Sequence, residues 1–214
     1  MSHRYPVLLD LDKQPCLVVG GGPVAGRKVR GLLGVGATVT VIAPTATEEL
    51  TRDASDGRVQ WHERRFADTD LADTVPDAGP WRFVVAATDD VVVNRRVVRA
   101  ATAAGIWAND ASAPDGGPAA LPAVHRDGAV TLAVSTGGVH PGAAGWLRDL
   151  AAGAIGSEHL VALDLVAEVR AASLVGTRPD WRAAVDSGML DLIREGRVAE
   201  AKERLQACLS SSSD

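Results

Sequence analysis

Three glycines near the start of the chain have a spacing suited to phosphate binding. Gly20 directly follows the apolar run Cys16 to Val19, and Gly22 and Gly26 come after it. Gly20 permits a tight turn, and Gly22 lets the backbone approach a pyrophosphate closely. Ala25 or Gly26 lets the next helix pack on the sheet, and the N–H groups at its N-terminus attract phosphate. Because the glycines stand between a predicted strand and a predicted helix, they predict a dinucleotide-binding loop rather than a structural turn.

The end of the second predicted strand bears on the choice of dinucleotide. Loops of this kind are usually paired with an acidic residue there, which binds the ribose. Here the strand Ala37 to Ala43 is followed by Pro44 and Thr45, with no arginine for a 2′-phosphate. Thr45 can hydrogen-bond a ribose hydroxyl, and we expect Glu48 and Glu49 to begin a solvated helix. We therefore predict NAD as the cofactor.

A second cofactor contact is predicted where the strand Arg82 to Ala87 ends. The carboxyl ends of parallel strands face the cofactor in this type of fold, so the backbone of Ala87 and Thr88 is expected near the nicotinamide. Asp89 and Asp90 follow at once. We expect one of them to cap the next helix rather than to bind a ligand.

The rest of the first half alternates strands and helices. Helices are predicted after the glycine loop, ending near Gly34, and over Val91 to Ala104. Further strands are predicted over Val59 to His62 and Ile106 to Ala108. Such alternation is typical of an α/β fold with a parallel sheet and right-handed crossovers, so we predict a Rossmann-type domain over residues 1–113.

The character of the chain changes after residue 113. A small α+β segment is predicted over residues 114–150, with a half-buried strand at Ala129 to Val134 and a helix at Pro141 to Leu150. A helical domain is predicted over residues 151–214, ending in a disordered Ser210 to Ser213 tail. Its helices are predicted from apolar spacing over Glu158 to Leu174, Trp181 to Ile193 and Val198 to Leu209.

Bulk composition limits the partners that we expect. The net charge of −5 does not favour nucleic acid. No signal peptide or membrane-length apolar stretch occurs in the sequence, so we expect a cytoplasmic protein with no membrane partner. No His/Cys cluster predicts a built-in metal site. Cys16 is expected to be a buried, unreactive thiol.

A series of short motifs runs through the first 150 residues in one consistent order. They are Tyr5 to Leu11, Val18 to Arg30, Thr40 to Pro44, Arg65-Phe66 with Asp70-Leu71, Ala86 to Asp89 with Asn94, Asn109, Ala113-Pro114, Leu121-Pro122, and Val134 to Gly138 with Pro141. Together they resemble the precorrin-2 dehydrogenases, which are the dehydrogenase modules of siroheme synthases. The remaining residues match only in being helical.

The resemblance implies a reaction, a cofactor and an assembly. Precorrin-2 dehydrogenases oxidise precorrin-2 to sirohydrochlorin in siroheme biosynthesis and pass a hydride to NAD. Some members also act as lyases that insert ferrous iron. The resemblance further implies a homodimer whose contact is made by the segment 114–150. The positions that match the family's cofactor contacts are Gly22, Pro23, Val24, Pro44 and Thr45.

One position departs from the family pattern. The family's catalytic aspartate lies three residues after the position of Asn109, where this chain has Ser112. A serine does not act as a carboxylate base at neutral pH without help. Asp110 and Asp115, in the same loop, are either substitute carboxylates or ordinary turn residues. We take Asp110 and Ser112 as the candidate catalytic residues. The departure bears more on iron insertion, which removes two pyrrole protons, than on hydride transfer, which depends mainly on positioning.

The implied substrate carries several carboxylates, so its pocket needs cationic groups or N–H donors. The predicted anion-binding turn consists of Thr136, Gly137 and Gly138, which lead into a helix. His140 is a proton acceptor or metal contact, or else a surface or capping residue, and the second interpretation is favoured. Arg126 and Arg148 are further candidates, although a solvated face suits each of them better, and His125 is expected to be solvated.

Three hypotheses about function follow from these residues. The leading one is an NAD-dependent precorrin-2 dehydrogenase, with ferrochelatase activity as an addition. The second is a non-catalytic Rossmann protein that senses NAD or binds a tetrapyrrole, and Ser112 is its best support. The third is a related oxidoreductase that acts on another substrate. Turnover of precorrin-2 with NAD distinguishes the first from the other two.

Overall fold

A five-stranded parallel sheet organises the first part of the chain. The computed structural model describes residues 4–71, 79–113, 115–172 and 180–210. In the sheet the strands lie in the order β3-β2-β1-β4-β5, so the order reverses between β1 and β4. The strands are β1 (Pro15–Val19), β2 (Thr38–Ile42), β3 (Val59–His62), β4 (Phe83–Ala86) and β5 (Trp107–Asp110). All neighbouring strands pair in parallel, which confirms the predicted Rossmann-type α/β fold.

Helices cover both faces of this sheet. On one face pack α1 (Pro23–Leu33) and α2 (Glu48–Ser55), and on the other α3 (Val91–Ala103) and a short 3-10 helix (Asp68–Leu71). The strands are apolar on both faces because both are covered. In β1, for example, Cys16 and Val18 join one core cluster and Leu17 and Val19 join the other.

Burial explains the chemistry of the first cysteine. Cys16 is 0% exposed, and desolvation raises the pKa of its thiol to about 12. The thiol therefore stays protonated at neutral pH, which confirms the expected buried and unreactive cysteine.

The chain after β5 folds back along this strand. Ala119 N–H donates to the carbonyl of Ala108 over 3.0 Å, and the Asn109 Nδ2 donates to the carbonyl of Ala119 over 3.0 Å. These bonds extend the first compact unit beyond residue 113, to Leu121, and residues 137–139 also belong to it.

The second compact unit holds residues 122–136 and the chain from His140 onward. It contains an antiparallel hairpin of β6 (Ala123–Asp127) and β7 (Val130–Val134), against which α4 (Pro141–Gly153) packs. Its other helices are α5 (Ser157–Ala172), α6 (Trp181–Asp186), α7 (Met189–Arg194) and α8 (Val198–Ser210). These four helices share one apolar cluster, which includes Leu165, Met189 and Leu205.

Two details differ from the predicted elements. The single helix expected over Trp181 to Ile193 is broken, because Gly188 takes a left-handed conformation with φ of 89° between α6 and α7. His125 and Arg126 lie in strand β6, where His125 pairs with Leu132. The predicted helix end at Leu174 and most of the serine tail lie outside the described residues.

Within the described ranges, no single helix is long and apolar enough to cross a bilayer. The pair Gly142–Gly153 and Ser157–Ala172, bent by 70°, meets the length and composition criteria only when taken together.

A buried carboxylate in the 3-10 helix is bonded to residues that follow β3, and the backbone of the same residue is bonded to Trp81, which precedes β4. Both oxygens of Asp70 accept hydrogen bonds from the Arg64 guanidinium, at 2.7 and 2.9 Å, and Ala67 N–H donates to the same carboxylate over 2.8 Å. Trp81 Nε1 donates to the Asp70 carbonyl over 2.8 Å. Burial would raise the pKa of Asp70, but the hydrogen bonds from Arg64 and Ala67 outweigh it and lower the pKa below its ordinary value.

We therefore expect Asp70→Asn to lower the free energy of unfolding by about 1–3 kcal/mol, because it removes hydrogen bonds to a charged group. Since the folded pKa of Asp70 lies below the unfolded one, its stabilisation is complete above the unfolded pKa and is lost as the pH falls through the folded pKa. The stability of the variant should therefore change less with acid below about pH 4. Urea unfolding across this pH range measures both effects.

The exposed ion pair between Asp68 and Arg96, at 2.8 Å, supplies the matched control for this experiment. Asp68→Asn should cost less than about 1 kcal/mol, because exposed pairs are screened by solvent. An equal loss of stability from both substitutions would contradict the structural role of Asp70.

Candidate functional site

The glycine loop, Gly20 to Gly26, crosses the carboxyl ends of β1 and β4. Gly20 has φ of 127°, and a Cβ built on it would lie 2.3 Å from the carbonyl oxygen of Ala87. A Cβ on Gly21 would lie 1.9 Å from the carbonyl oxygen of Thr45. A Cβ on Gly22, in contrast, would have no other atom within 4 Å. The first two glycines thus let the loop touch its neighbours, and the third leaves room for a ligand.

The N-terminus of α1 lies directly behind that open position. Gly22 is the N-cap of the helix and makes no side-chain capping bond, and Pro23 occupies the first turn. Ala25 is buried in the core, whereas Val24 is 38% exposed. A helix start with no side-chain cap offers N–H groups and the positive end of its dipole to an anion. This arrangement fits a pyrophosphate.

The β2 edge of the loop is closed by backbone contacts. Thr47 N–H donates to the carbonyl of Gly21 over 2.9 Å, and the same threonine caps α2, which begins at Glu48. The start of a helix at Glu48 was predicted and is confirmed. Pro44 and Thr45 are both exposed beside the loop.

A hydrogen-bonded cluster joins the turn after β4 to the loop after β5. Its centre is Asn94 of α3, which is 0% exposed. Asn94 Oδ1 accepts from the N–H and the hydroxyl of Thr88, at 3.0 and 2.7 Å, and Nδ2 donates to the Thr88 carbonyl over 3.1 Å. The same Nδ2 donates to Ser112 Oγ over 3.2 Å. Asp90 caps α3 through its carboxylate, as the sequence predicted.

The two candidate catalytic residues are in direct contact. Ser112 Oγ donates to Asp110 Oδ1 over 2.5 Å, and Ser112 N–H donates to the same oxygen over 2.8 Å. Asp110 is 3% exposed, whereas Ser112 is exposed. Within the described part of the chain, Asp110 Oδ2 has no hydrogen-bond partner. The buried carboxylate is therefore bonded to a residue that is exposed at the surface.

Asp115, the other candidate carboxylate, lies outside this cluster. Its side chain is 83% exposed and lies 3.6 Å from the Arg4 guanidinium. The next residue, Gly116, covers Asp110 instead, because a Cβ on Gly116 would lie 2.8 Å from Asp110 Oδ2. Of the two aspartates considered, Asp110 is the one that contacts Ser112.

The predicted substrate-binding residues precede α4 along the chain. Gly137 and Gly138 take left-handed conformations, with φ of 61° and 83°, and Thr136 is half-buried. His140 is the N-cap of α4, and its Nδ1 accepts from Gly142 N–H over 3.0 Å. The helix therefore starts at Pro141, and His140 has the capping role that was favoured.

The two arginines proposed as substrate contacts differ in environment. Arg126 is exposed on β6. Arg148 pairs with its neighbour Asp149 over 2.7 Å, which reduces the positive charge that it offers. Separately, the described ranges contain no group of three or more His, Cys, Asp or Glu side chains arranged to hold a metal ion.

The parallel sheet, its reversal of strand order and the glycine loop at that point define a dinucleotide-binding protein of the Rossmann type. A family model described as "Putative NAD(P)-binding" matches residues 7–123, which is more than half of the chain. The chain therefore belongs to this family.

Known proteins extend the similarity beyond the Rossmann unit. The siroheme synthase of Methylococcus capsulatus is 35% identical over 206 residues, covering 94% of this chain and 42% of that protein. The siroheme synthase of Nitrosococcus oceani is 33% identical over 210 residues, covering 95% and 43%. The chain thus spans less than half the length of these curated relatives. The solved structure of "SirC, precorrin-2 dehydrogenase" is 26% identical with a TM-score of 0.68, covering 95% of this chain and 98% of that one.

Three residues of the site escaped sequence reasoning. Gly21 is as tightly enclosed as Gly20, but the glycine pattern assigns no role to it. Asn94 was recognised only as part of a family motif. Its hydrogen bonds were not predicted, because its partners are six and eighteen residues away along the chain. Gly116 was expected only in a turn. Each role depends on a contact between distant segments, which local spacing does not encode.

Alanine at consecutive glycines should separate folding from cofactor binding. Gly21→Ala should lower the free energy of unfolding by about 1–3 kcal/mol, because its Cβ overlaps backbone. Gly22→Ala should fold normally but bind NAD at least about tenfold more weakly, because its methyl group fills the space open to the pyrophosphate. Thermal unfolding and titration calorimetry with NAD measure the two effects.

Gly31→Ala is the matched control in the same helix. Its Cβ meets nothing within 4 Å, so it should stabilise the protein by about 0.5–1 kcal/mol through helix propensity. NAD binding should not change. If Gly22→Ala bound NAD as tightly as the unmodified protein, the assignment of the loop would be wrong.

Proposed function

We propose that this chain catalyses the NAD-dependent oxidation of precorrin-2 to sirohydrochlorin in siroheme biosynthesis. The observation that carries the proposal is the structural likeness to the precorrin-2 dehydrogenase SirC, which extends over 95% of this chain and 98% of that protein. Similarity over nearly the whole chain to siroheme synthases supports it. Both relationships include the residues after the Rossmann unit.

The proposed roles of the residues follow from their positions. Gly20, Gly22, Pro23, Val24 and Ala25 form the helix start that holds the pyrophosphate. NAD, when bound, accepts the hydride from the substrate.

The other proposed cofactor contacts lie at the two ends of the dinucleotide, and the proposed substrate contacts are a separate set of residues. Pro44 and Thr45 border the adenosine ribose, and the backbone of Ala87 and Thr88 lies on the nicotinamide side. The proposed substrate contacts are backbone N–H groups and a capping side chain on the segment that precedes α4, namely Thr136, Gly137, Gly138 and His140.

Iron insertion into sirohydrochlorin is a second activity that we propose for the same site. The observation that favours it is the contact between Ser112 and Asp110, because chelation requires an acceptor for pyrrole protons. Ferrous iron is then a second substrate, which enters separately from sirohydrochlorin and leaves inserted in the macrocycle. Incubation of the protein with sirohydrochlorin and ferrous iron, followed by the spectrum of the iron-containing product, tests this activity.

We expect purified protein mixed with precorrin-2 and NAD to form sirohydrochlorin and NADH in equal amounts, both followed by absorbance. The Gly22→Ala variant is the control, because it should keep the fold and form both products more slowly when NAD is below saturation. Binding of NAD or precorrin-2 without turnover would favour a non-catalytic sensor or tetrapyrrole carrier. Turnover of a different hydride donor, with precorrin-2 inert, would favour a related oxidoreductase.

We also propose that the chain forms a homodimer through the segment that includes α4. Trp146 and Leu150 lie one helical turn apart on α4 and are 65% and 63% exposed, so they offer an apolar stripe to a second copy. We expect Trp146→Glu to convert a dimer into a monomer of 22.2 kDa in sedimentation equilibrium. Trp181→Glu, at a residue that is 55% exposed on α6, is the control and should leave the mass unchanged. An unaltered dimer in Trp146→Glu would exclude this surface.

A further inference from the structure

The hydrogen bonds around Ser112 have a fixed direction. The Asn94 amide cannot be turned around, because Thr88 N–H requires an acceptor at Oδ1 and the Thr88 carbonyl requires a donor at Nδ2. Nδ2 therefore points its other N–H at Ser112 Oγ. The backbone of the turn after β4 thus determines which hydrogen bond the serine hydroxyl receives.

The other side of the hydroxyl faces Asp110. An ionised carboxylate only accepts hydrogen bonds, so Ser112 must donate its single hydroxyl proton to Asp110 Oδ1. Ser112 Oγ then donates one bond and accepts one, and one lone pair remains. Because Ser112 is exposed and Asp110 is buried, that lone pair is the part of the pair that an incoming molecule can meet.

We propose that Ser112 and Asp110 form a proton relay that serves the oxidation of the tetrapyrrole, with Asn94 as the positioning residue. The relay rests on the proposed function and assigns the base that the reaction needs. Because its proton is already donated to Asp110, the hydroxyl can only accept a further hydrogen bond and so binds hydrogen-bond donors. The pyrrole N–H groups of the substrate are such donors. A carboxylate or carbonyl would find no donor at this atom.

The step balances in atoms and electrons. A C–H bond of the substrate breaks, and its electron pair leaves as hydride to NAD. A pyrrole N–H bond breaks, and its proton passes to Ser112 Oγ while the original hydroxyl proton moves to Asp110 Oδ1. The electron pair left on nitrogen enters the new double bond. Asp110 then returns its proton through Ser112 to water, so the protein ends unchanged.

The test compares single and double variants in the assay for sirohydrochlorin and NADH. Ser112→Ala and Asp110→Asn should each lower kcat about a hundredfold, the lower end of the usual contribution of a general base. KM for precorrin-2 and the dissociation constant for NAD should change less than about threefold, since neither variant touches the glycine loop. Thermal unfolding verifies that both variants fold.

A rescue distinguishes the relay from a structural role. Ser112→Asp combined with Asp110→Asn places a carboxylate at the exposed position. Because Asp110→Asn removes the neighbouring carboxylate, the new one has no like charge beside it. This double variant should regain most of the activity that Asp110→Asn loses. The rate is also measured in mixtures of H₂O and D₂O. For the unmodified protein, the plot of rate against deuterium fraction should be curved, because two protons move. For the double variant the same plot should be linear, because one proton moves.

Asp115→Asn is the matched control, because this carboxylate is 83% exposed and faces Arg4. It should keep full activity. Two results would overturn the relay but not the proposed function. The first is an Asp110→Asn variant as active as the unmodified protein, and the second is a double variant that recovers no activity. Absence of sirohydrochlorin from the unmodified protein would overturn the proposed function and the relay together.

Discussion

The contact between the glycine loop and the neighbouring strand ends is the constraint on which the site depends. Gly20 and Gly21 bring backbone against the carbonyl groups of Ala87 and Thr45, at distances that no Cβ could tolerate. Gly20 N–H also donates to the carbonyl of Ile42 over 3.0 Å. The carboxyl ends of three parallel strands are thereby held together, and the start of α1 is aimed into the crevice that they form.

Asn94 connects the turn after β4, on the proposed cofactor side, to the loop after β5. It is buried in α3, yet its amide satisfies the backbone of Thr88 and the hydroxyl of Ser112. A buried amide with its donors and acceptors paired resists rotation, because any other orientation would leave polar atoms unsatisfied. The residue beside the proposed nicotinamide position and the proposed proton acceptor are therefore fixed by one side chain.

The fold could be predicted further than the site. Apolar runs, glycine punctuation, the acidic pair at Glu48 and the cap at Asp90 are local signals, and they placed the five strands and the first three helices of the Rossmann unit. The break at Gly188 was missed because the apolar spacing continues across it, whereas the helical backbone conformation is interrupted there. The cluster around Asn94 was missed for another reason, since it joins residues of three separate elements that only the sheet order brings together.

The position of Asp110 explains how a serine can stand where a carboxylate is expected. Asp110 is the last residue of β5, and the chain turns directly after it. The N–H and the hydroxyl of Ser112 therefore both reach Asp110 Oδ1, in the way that an aspartate side chain closes a turn two residues on. The strand end keeps the carboxylate buried, and the hydroxyl two residues later reaches the surface above it. In the proposed relay, a carboxylate two positions earlier acts through the hydroxyl of Ser112, because an O–H group can pass a proton along the bond that it already makes.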